Sequence, residues 1–277
     1  MSVRIVTDST SDLPRDVVEE LGITVVPLNV HFDMDTYRDG VDIDAEEFYK
    51  RLITSSTLPK TSAPAPGVFI DSYRKLAGET EAIVSIHISS KLSGTYESAQ
   101  AAQRDLAGEC KIEVINSESV SMGLGLLAIT AAKAAKAGAT AEEIVKFVRE
   151  SIPRVHLVGA LDTLEFLAKG GRVGKASAWI GSLLSIKPLI SVSDGEVVPL
   201  DRVRTRSKSL ERFHQLLKEH LPAKELGVMY STDLEEAEKL VDHLKELFPQ
   251  QPVYLARFGP VLGTYMGPGC LAAATIT

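Results

Sequence analysis

The sequence predicts an α/β protein: an N-terminal, mostly parallel sheet with helices on both faces, then a second α+β domain. Three observations carry this. Short β-branched runs alternate with helix-length segments as far as Ser151, the grammar of parallel βα units covered on both faces. Beyond Pro153 a hairpin signal interrupts that alternation, and strands and helices follow in a different order. The 277 residues exceed the usual size of one domain. The expected division is therefore 1–153 and 154–277.

Val3–Thr7 is a β-branched run ending in the polar loop Asp8-Ser9-Thr10-Ser11-Asp12. Pro14 then opens a helix over Arg15–Leu21, which Gly22 stops. Ile23–Phe32 reads as a second strand, and after an acidic loop Ala45–Ile53 reads as a helix. Three prolines make Ser55–Gly67 a long loop, followed by a helix over Val68–Leu76 and a buried strand over Ala82–Ile88. A helix from Ser93-Gly94-Thr95 to about Ala107, a strand over Ile112–Asn116 and an alanine-rich helix over Gly123–Ala137 come next. Ala141–Ser151 is a further helix, ended by Pro153.

In the second domain, Lys187–Val192 and Val197–Arg202 flank Ser193-Asp194-Gly195-Glu196, a hairpin signal. Helices are expected over Arg206–His220 and Leu234–Phe248, and strands over Leu226–Tyr230, Val253–Arg257 and Leu271–Thr275.

With 44% apolar residues the chain has ample material for a core, and a net charge of −7 argues against a nucleic-acid partner. Cys110 and Cys270 stand far apart in apolar surroundings and read as buried small hydrophobes, not a disulfide. No metal-ligand spacing occurs among the cysteines and histidines, so no metal is expected. The N-terminus lacks the pattern of a signal peptide, and no run reaches the roughly 18 apolar residues of a membrane span. A cytoplasmic protein is expected.

The strongest site signal is Ser89-Ser90-Lys91-Leu92-Ser93-Gly94-Thr95-Tyr96. It follows a buried strand and opens a helix, at the carboxyl end of a parallel strand where ligands bind. Free amides at that helix start favour an anion, and Gly94 permits close approach. The plain alternative is that Ser93 only caps its helix. Thr61 and Ser62, in the proline-stiffened loop, present two hydroxyls just before a helix, a weak signal alone. Asp8 and Asp12 invite an acid–base reading, but Asp12 also suits capping of the helix after Pro14, the favoured reading.

Gly123-Leu124-Gly125-Leu126-Leu127-Ala128 formally matches a dinucleotide fingerprint. It lies six residues past its strand and lacks the acid about 20 residues on, so close helix packing accounts for it better. Gly170-Gly171-Arg172 lacks P-loop spacing, no nucleophile elbow occurs, and no Ser/His catalytic pair is assembled from the sequence. The stretch from Arg202 through Arg204 to Arg206 is dense in positive charge. It is either a solvated hairpin exit or a docking patch for an acidic partner.

Taken in order, these segments resemble the DegV family, the FakB-type fatty-acid-binding proteins, over nearly the whole chain. The markers are Thr7-Asp8-Ser9-Thr10-Ser11-Asp12-Leu13, Thr61-Ser62-Ala63-Pro64, Ser89 to Tyr96, Gly170-Gly171-Arg172, Asp201 to Thr205, and Gly259 to Gly269. The resemblance implies a long-chain fatty acid, such as palmitate, in a buried apolar tunnel between two domains. Its carboxylate would be held by Thr61 and Ser93, within a head-group region extending to Ser62, Gly94, Thr95, Arg172 and Tyr265. It further implies a carrier with no catalysis or cofactor of its own, presenting the carboxylate to a separate fatty-acid kinase. Arg202, Arg204 and Arg206 would lie near the head group or dock that partner. One departure stands out: the family commonly has His at the position of Tyr265, and a phenol donates a hydrogen bond without carrying positive charge at neutral pH. Candidate tunnel walls are Val155–Leu167, Ala176–Ile190 and the C-terminal strand. The rival reading is an enzyme resembling the dihydroxyacetone-kinase type, acting on a small phosphorylated or keto substrate. A third is a purely regulatory, interaction protein.

Overall fold

The structure, a computed structural model, describes residues 3–277 and, within them, all side chains but those of residues 181–185. β1 (Val3–Asp8) leads through a single 3-10 turn to α1 (Arg15–Leu21), β2 (Thr24–Val26), β3 (Asn29–Phe32), β4 (Asp35–Arg38) and α2 (Ala45–Thr54). Next come β5 (Lys60–Ser62), α3 (Pro66–Ala77), β6 (Ala82–His87), α4 (Thr95–Asp105), β7 (Lys111–Asn116), α5 (Met122–Lys136) and α6 (Ala141–Ser151). A turn at Ile152–Arg154 precedes β8 (Val155–Ala160), α7 (Glu165–Lys169) and a 3-10 segment at Gly174–Ser185. The chain closes with β9 (Lys187–Ser193), β10 (Glu196–Val203), α8 (Arg206–Lys218), β11 (Glu225–Tyr230), α9 (Leu234–Leu247), β12 (Val253–Arg257), α10 (Pro260–Met266) and β13 (Leu271–Ile276).

The first sheet has the order β2-β1-β6-β7 and is parallel throughout. β6 reads Ala-Ile-Val-Ser-Ile-His without a gap and is buried at every residue, as a strand covered on both faces should be. Alternation divides its neighbours. Val6 and Ile83 pack with Phe69 and Tyr73 of α3 and Ala99 of α4. Ile5, Val84 and Ile86 belong with Leu124 of α5 and Ile144 of α6 on the other face.

The second sheet runs β10-β9-β8-β13-β11-β12, with only the β11–β12 pair parallel. Its outer face, including Val158, Val228 and Ala273, packs on Phe213 of α8 and Leu240 of α9. Its inner face shares one apolar core with α5. That helix is buried at ten positions, all within Met122–Ala132, and is apolar round most of that stretch because protein surrounds it there, while Lys133 and Lys136 mark its more exposed end. Gly125 is where it passes closest to the β1 loop: a Cβ there would stand 2.8 Å from the Ser11 carbonyl. The Gly123–Ala128 pattern is thus a packing feature, as expected.

The hairpin prediction holds, with Asp194 and Gly195 both left-handed at φ 51 and 78. Several local readings do not. Ile23–Phe32 is two strands, because Pro27 has no amide to continue a ladder; β2 joins the parallel sheet while β3 pairs antiparallel with β4 and β5. The long loop at Ser55–Gly67 contains β5, and its helix starts at Pro66, where a missing amide costs nothing. The acidic loop contains β4, and the glycine-rich segment after Phe258 contains α10. Both cysteines are free, Cys270 buried but Cys110 only partly so. No helix among the described residues is long and apolar enough to cross a membrane.

Candidate functional site

Between the two larger sheets lies a cavity whose atom-free space, counted together with the open solvent at its mouth, is about 960 Å³. Thr10 and Ile88 on its wall place it beside the carboxyl ends of β1 and β6, the usual ligand edge of a parallel sheet. The body is apolar: Leu28 and Ile88 from the first half face Leu157, Ile190, Met229 and Ala272 of the second sheet. Val261, Leu262 and Met266 of α10 close one flank. Cys270 also lines it; burial pushes its thiol up to about 12, so it adds no charge to the wall.

The polar residues on the wall include Thr61, Ser62, Ser93, Arg172 and Tyr265. β5 positions Thr61 through its ladder to β3, with Val30 opposite Thr61. The Thr61 hydroxyl stands 2.5 Å from the Tyr265 hydroxyl. Ser62 is committed elsewhere, to His31 Nε2 at 2.9 Å. Arg172 donates to the Leu92 carbonyl at 3.3 Å and the Gly170 carbonyl at 2.9 Å, and its guanidinium lies 5.4 Å from the Tyr265 ring centroid. Of the two glycines before it, Gly171 is left-handed at φ 71 and Gly170 has a steric reason. A Cβ on Gly170 would come within 2.5 Å of the Tyr265 ring.

Thr61 and Ser93 thus line one cavity, together with Ser62, Gly94, Arg172 and Tyr265. Thr95 is buried beside it and meets Ser93, hydroxyl to hydroxyl, at 2.8 Å. Ser93 is not the N-cap of α4. Gly94 holds that place without a side-chain bond, so the Ser93 hydroxyl turns to Thr95. From the expected tunnel walls, Leu157, Gly159, Leu167, Ile190 and Ala272 do line the cavity; side chains 181–185 lie outside the described residues.

The basic stretch divides. Arg202 is exposed and lies over the Trp179 ring at 5.7 Å, and Arg204 is exposed. Arg206 turns inward to an ion pair with Glu236, to Asp162 at 3.7 Å and to the Ala160 carbonyl at 3.5 Å. Its charge is engaged within the fold.

Asp12 does not cap α1, whose N-cap is Pro14 with no side-chain bond. Its carboxylate instead accepts from the Ser121 hydroxyl at 2.6 Å and the Gly259 amide at 2.9 Å. Asp8 anchors a second buried network. Tyr73 donates to Ser85 Oγ at 2.8 Å, Ser85 meets His87 Nε2 at 2.7 Å, and His87 Nδ1 meets Asp8 Oδ2 at 2.9 Å. The Ile88 amide and Thr10 complete the acceptor sites of Asp8. Ser85, His87 and Asp8 are wholly buried. Sequence reading missed this pairing, although Ser85 and His87, two apart on one strand, necessarily share a face. Among the described residues, no group of three or more His, Cys, Asp or Glu is arranged to hold a metal ion.

A family model described as an uncharacterised protein of the DegV family matches residues 2–277. Protein DegV of Bacillus subtilis is 35% identical over 276 residues, covering 98% of each chain. The crystal structure of DegV from Bacillus subtilis, described as a fatty acid binding protein, superposes with a TM-score of 0.91 at 34% identity, covering 100% of both chains. A Thermus thermophilus DegV family protein, whose structure is described by its fatty acid binding, gives 0.90 at 31% identity, again over 100% of both. A stearic acid-binding protein from Eubacterium ventriosum gives 0.91 at 26% identity, covering 99% of this chain and 98% of that one.

Proposed function

The chain belongs to the DegV family, and from that premise we propose that it binds a long-chain fatty acid in the cavity between its sheets. The carboxylate sits at Thr61 and Ser93, with Arg172 and Tyr265 beside them. The observation that carries this reading is one largely apolar cavity whose wall includes both Thr61 and Ser93.

The physical chemistry agrees. A carboxylate left unpaired in an apolar site would be protonated or excluded, so it needs donors of this kind. The tail supplies most of the affinity: at about 0.8 kcal/mol per buried methylene, a dozen methylenes give roughly 10 kcal/mol before the costs of association. A C16-type acid such as palmitate is the size class proposed.

The further reading is a cytoplasmic carrier that presents the carboxylate to a separate fatty-acid kinase, with Arg202 and Arg204 on the docking face. The division at about residue 153 fits it, since the ligand then lies between two units joined by the Ile152–Arg154 turn.

Organic extraction of the purified protein followed by mass spectrometry tests the central reading. A fatty acid near one per chain is expected. A stoichiometric phosphorylated or keto compound in its place would favour the enzymatic alternative.

A further inference from the structure

The loops after β1 and β4 each send an aspartate to the start of α10. Asp12 accepts from the Gly259 amide, as described. Asp39 reaches the same point. A Cβ on Gly259 would stand 3.1 Å from Asp39 Oδ1 and 3.3 Å from Asp12 Oδ1, so the two carboxylates converge on one backbone position. Asp39 also faces the Ser9 hydroxyl and the Val261 amide, while its Oδ2 is buried without a hydrogen-bond partner. Both acids are buried, Asp12 at 9% exposure and Asp39 at 5%.

Among the described residues, neither carboxylate has an ion-pair partner within salt-bridge distance. The facing titratable groups are Asp8 from β1, itself bonded to His87 of β6, and Tyr49 from α2. Arg257 of β12 is stacked on the far ring, 5.1 Å from the Tyr49 centroid. Arg15 of α1 bonds the Gly40 carbonyl at 3.3 Å, next in sequence to Asp39. Two like acids in such a site cannot both ionise cheaply. Burial first, then neighbouring carboxylates, raises Asp12 well above its ordinary value and Asp39 to about 7. The folded chain thus holds protons that the unfolded chain has released. The stabilisation this gives is greatest at acid pH and is lost as pH rises from the unfolded carboxylate value to about 7.

What the acids hold is the head of the seven-residue helix α10. That helix carries Val261, Leu262 and Met266 to the cavity wall and Tyr265 to Thr61. We propose that Asp12 and Asp39 are positioning residues that form a proton-sensitive clamp on α10, so that loss of a proton from Asp39 slackens the helix and weakens the grip on a carboxylate ligand. The affinity half rests on the fatty-acid reading, whereas the clamp itself does not.

The test uses delipidated full-length protein, wild type and Asp39→Asn, which keeps the shape and removes the charge. Backbone hydrogen exchange at residues 261–266, corrected for intrinsic rate, is compared at about pH 6 and about pH 8.5. Wild-type protection should fall about threefold to tenfold and the variant's should stay flat, as expected for half to one unit of proton linkage. Titration with a labelled fatty acid should show the same fold-change in Kd, again only in wild type. Equal protection at both pH values in wild type, or an undiminished pH response in Asp39→Asn, overturns the clamp. Should no fatty acid bind at either pH, the ligand reading fails and the exchange result still decides the clamp. Wild-type exchange decides it too if Asp39→Asn does not fold.

Discussion

Tyr265 and Thr61, 204 positions apart in sequence, meet hydroxyl to hydroxyl at 2.5 Å. If the phenol donates, the Thr61 oxygen is satisfied as an acceptor and its own proton is free to point at a ligand oxygen. Tyr265 then acts through Thr61 without carrying charge. Tyr265→Phe should therefore weaken fatty-acid binding by about threefold to tenfold, the worth of one neutral hydrogen bond. Thr61→Ala with Ser93→Ala should cost about a hundredfold or more, since bonds to a carboxylate are stronger. Titration of delipidated variants with a labelled acid measures both, with circular dichroism as the folding control. Unchanged affinity in the double variant would remove the proposed head-group site.

Gly159 forms part of the cavity wall between Ile190 and Ala272, its partners in the ladder. A Cβ there would meet Ile190 and Leu161 at 3.5 Å, an ordinary contact, so the backbone accepts a side chain, and the methyls of a small branched one are expected to take up cavity space. Gly159→Val should leave the fold intact and shift preference toward shorter acids. A competition series over chain lengths checks this, and an unaltered length profile would place the tail elsewhere.

His156 of β8 stacks on His220, with centroids 4.0 Å apart and planes at 9°. Burial, then the neighbouring imidazole, lowers the pKa of His156. The unfolded chain consequently binds that proton more readily than the folded one, and stability falls as pH drops below about 6.5. His156→Gln should flatten the part of the profile between about pH 7.5 and pH 5.5, read as urea midpoints. An identical slope in the variant would exclude the pair as its source.

Arg204 and Arg206 should separate docking from stability. Arg206→Ala breaks the partly buried pair with Glu236 and should destabilise by about 1–2 kcal/mol, measured by urea unfolding. Arg202→Glu with Arg204→Glu should leave the fold alone. In an assay of acyl-phosphate formation with a fatty-acid kinase from the same organism, that charge reversal should slow the reaction by about tenfold, most strongly at low salt. A rate untouched by the reversal would make the patch mere surface.

The parallel half was legible because its strands are continuous apolar runs and its helices have clear punctuation. Arg15–Leu21 and Ala141–Ser151 appear with the expected bounds. β4 and β5 were not, since Asp35-Thr36-Tyr37-Arg38 and Lys60-Thr61-Ser62 carry no apolar alternation; they become strands only by pairing with β3. α10 was hidden for a different reason. Its residues Pro260–Tyr265 are all buried, so no polar stripe marks a helical period. Ser93 stood out by its place between a buried strand and a helix and Thr61 only weakly, whereas their pairing as one head-group site, and Tyr265 with them, came from family resemblance alone. Asp12 read as a cap because its partner Gly259 lies 247 residues away, and Asp39 drew no notice at all.

The buried run from Tyr73 to Asp8 has a practical consequence for anyone inferring chemistry from geometry. Ser85, His87 and Asp8 reproduce the order and spacing of a serine-hydrolase triad. Yet all three are at 0% exposure, and the Ser85 oxygen already receives the Tyr73 phenol. No scissile carbonyl can reach that nucleophile. A template search keyed on those distances will flag an esterase here, and a fluorophosphonate probe will leave Ser85 unlabelled.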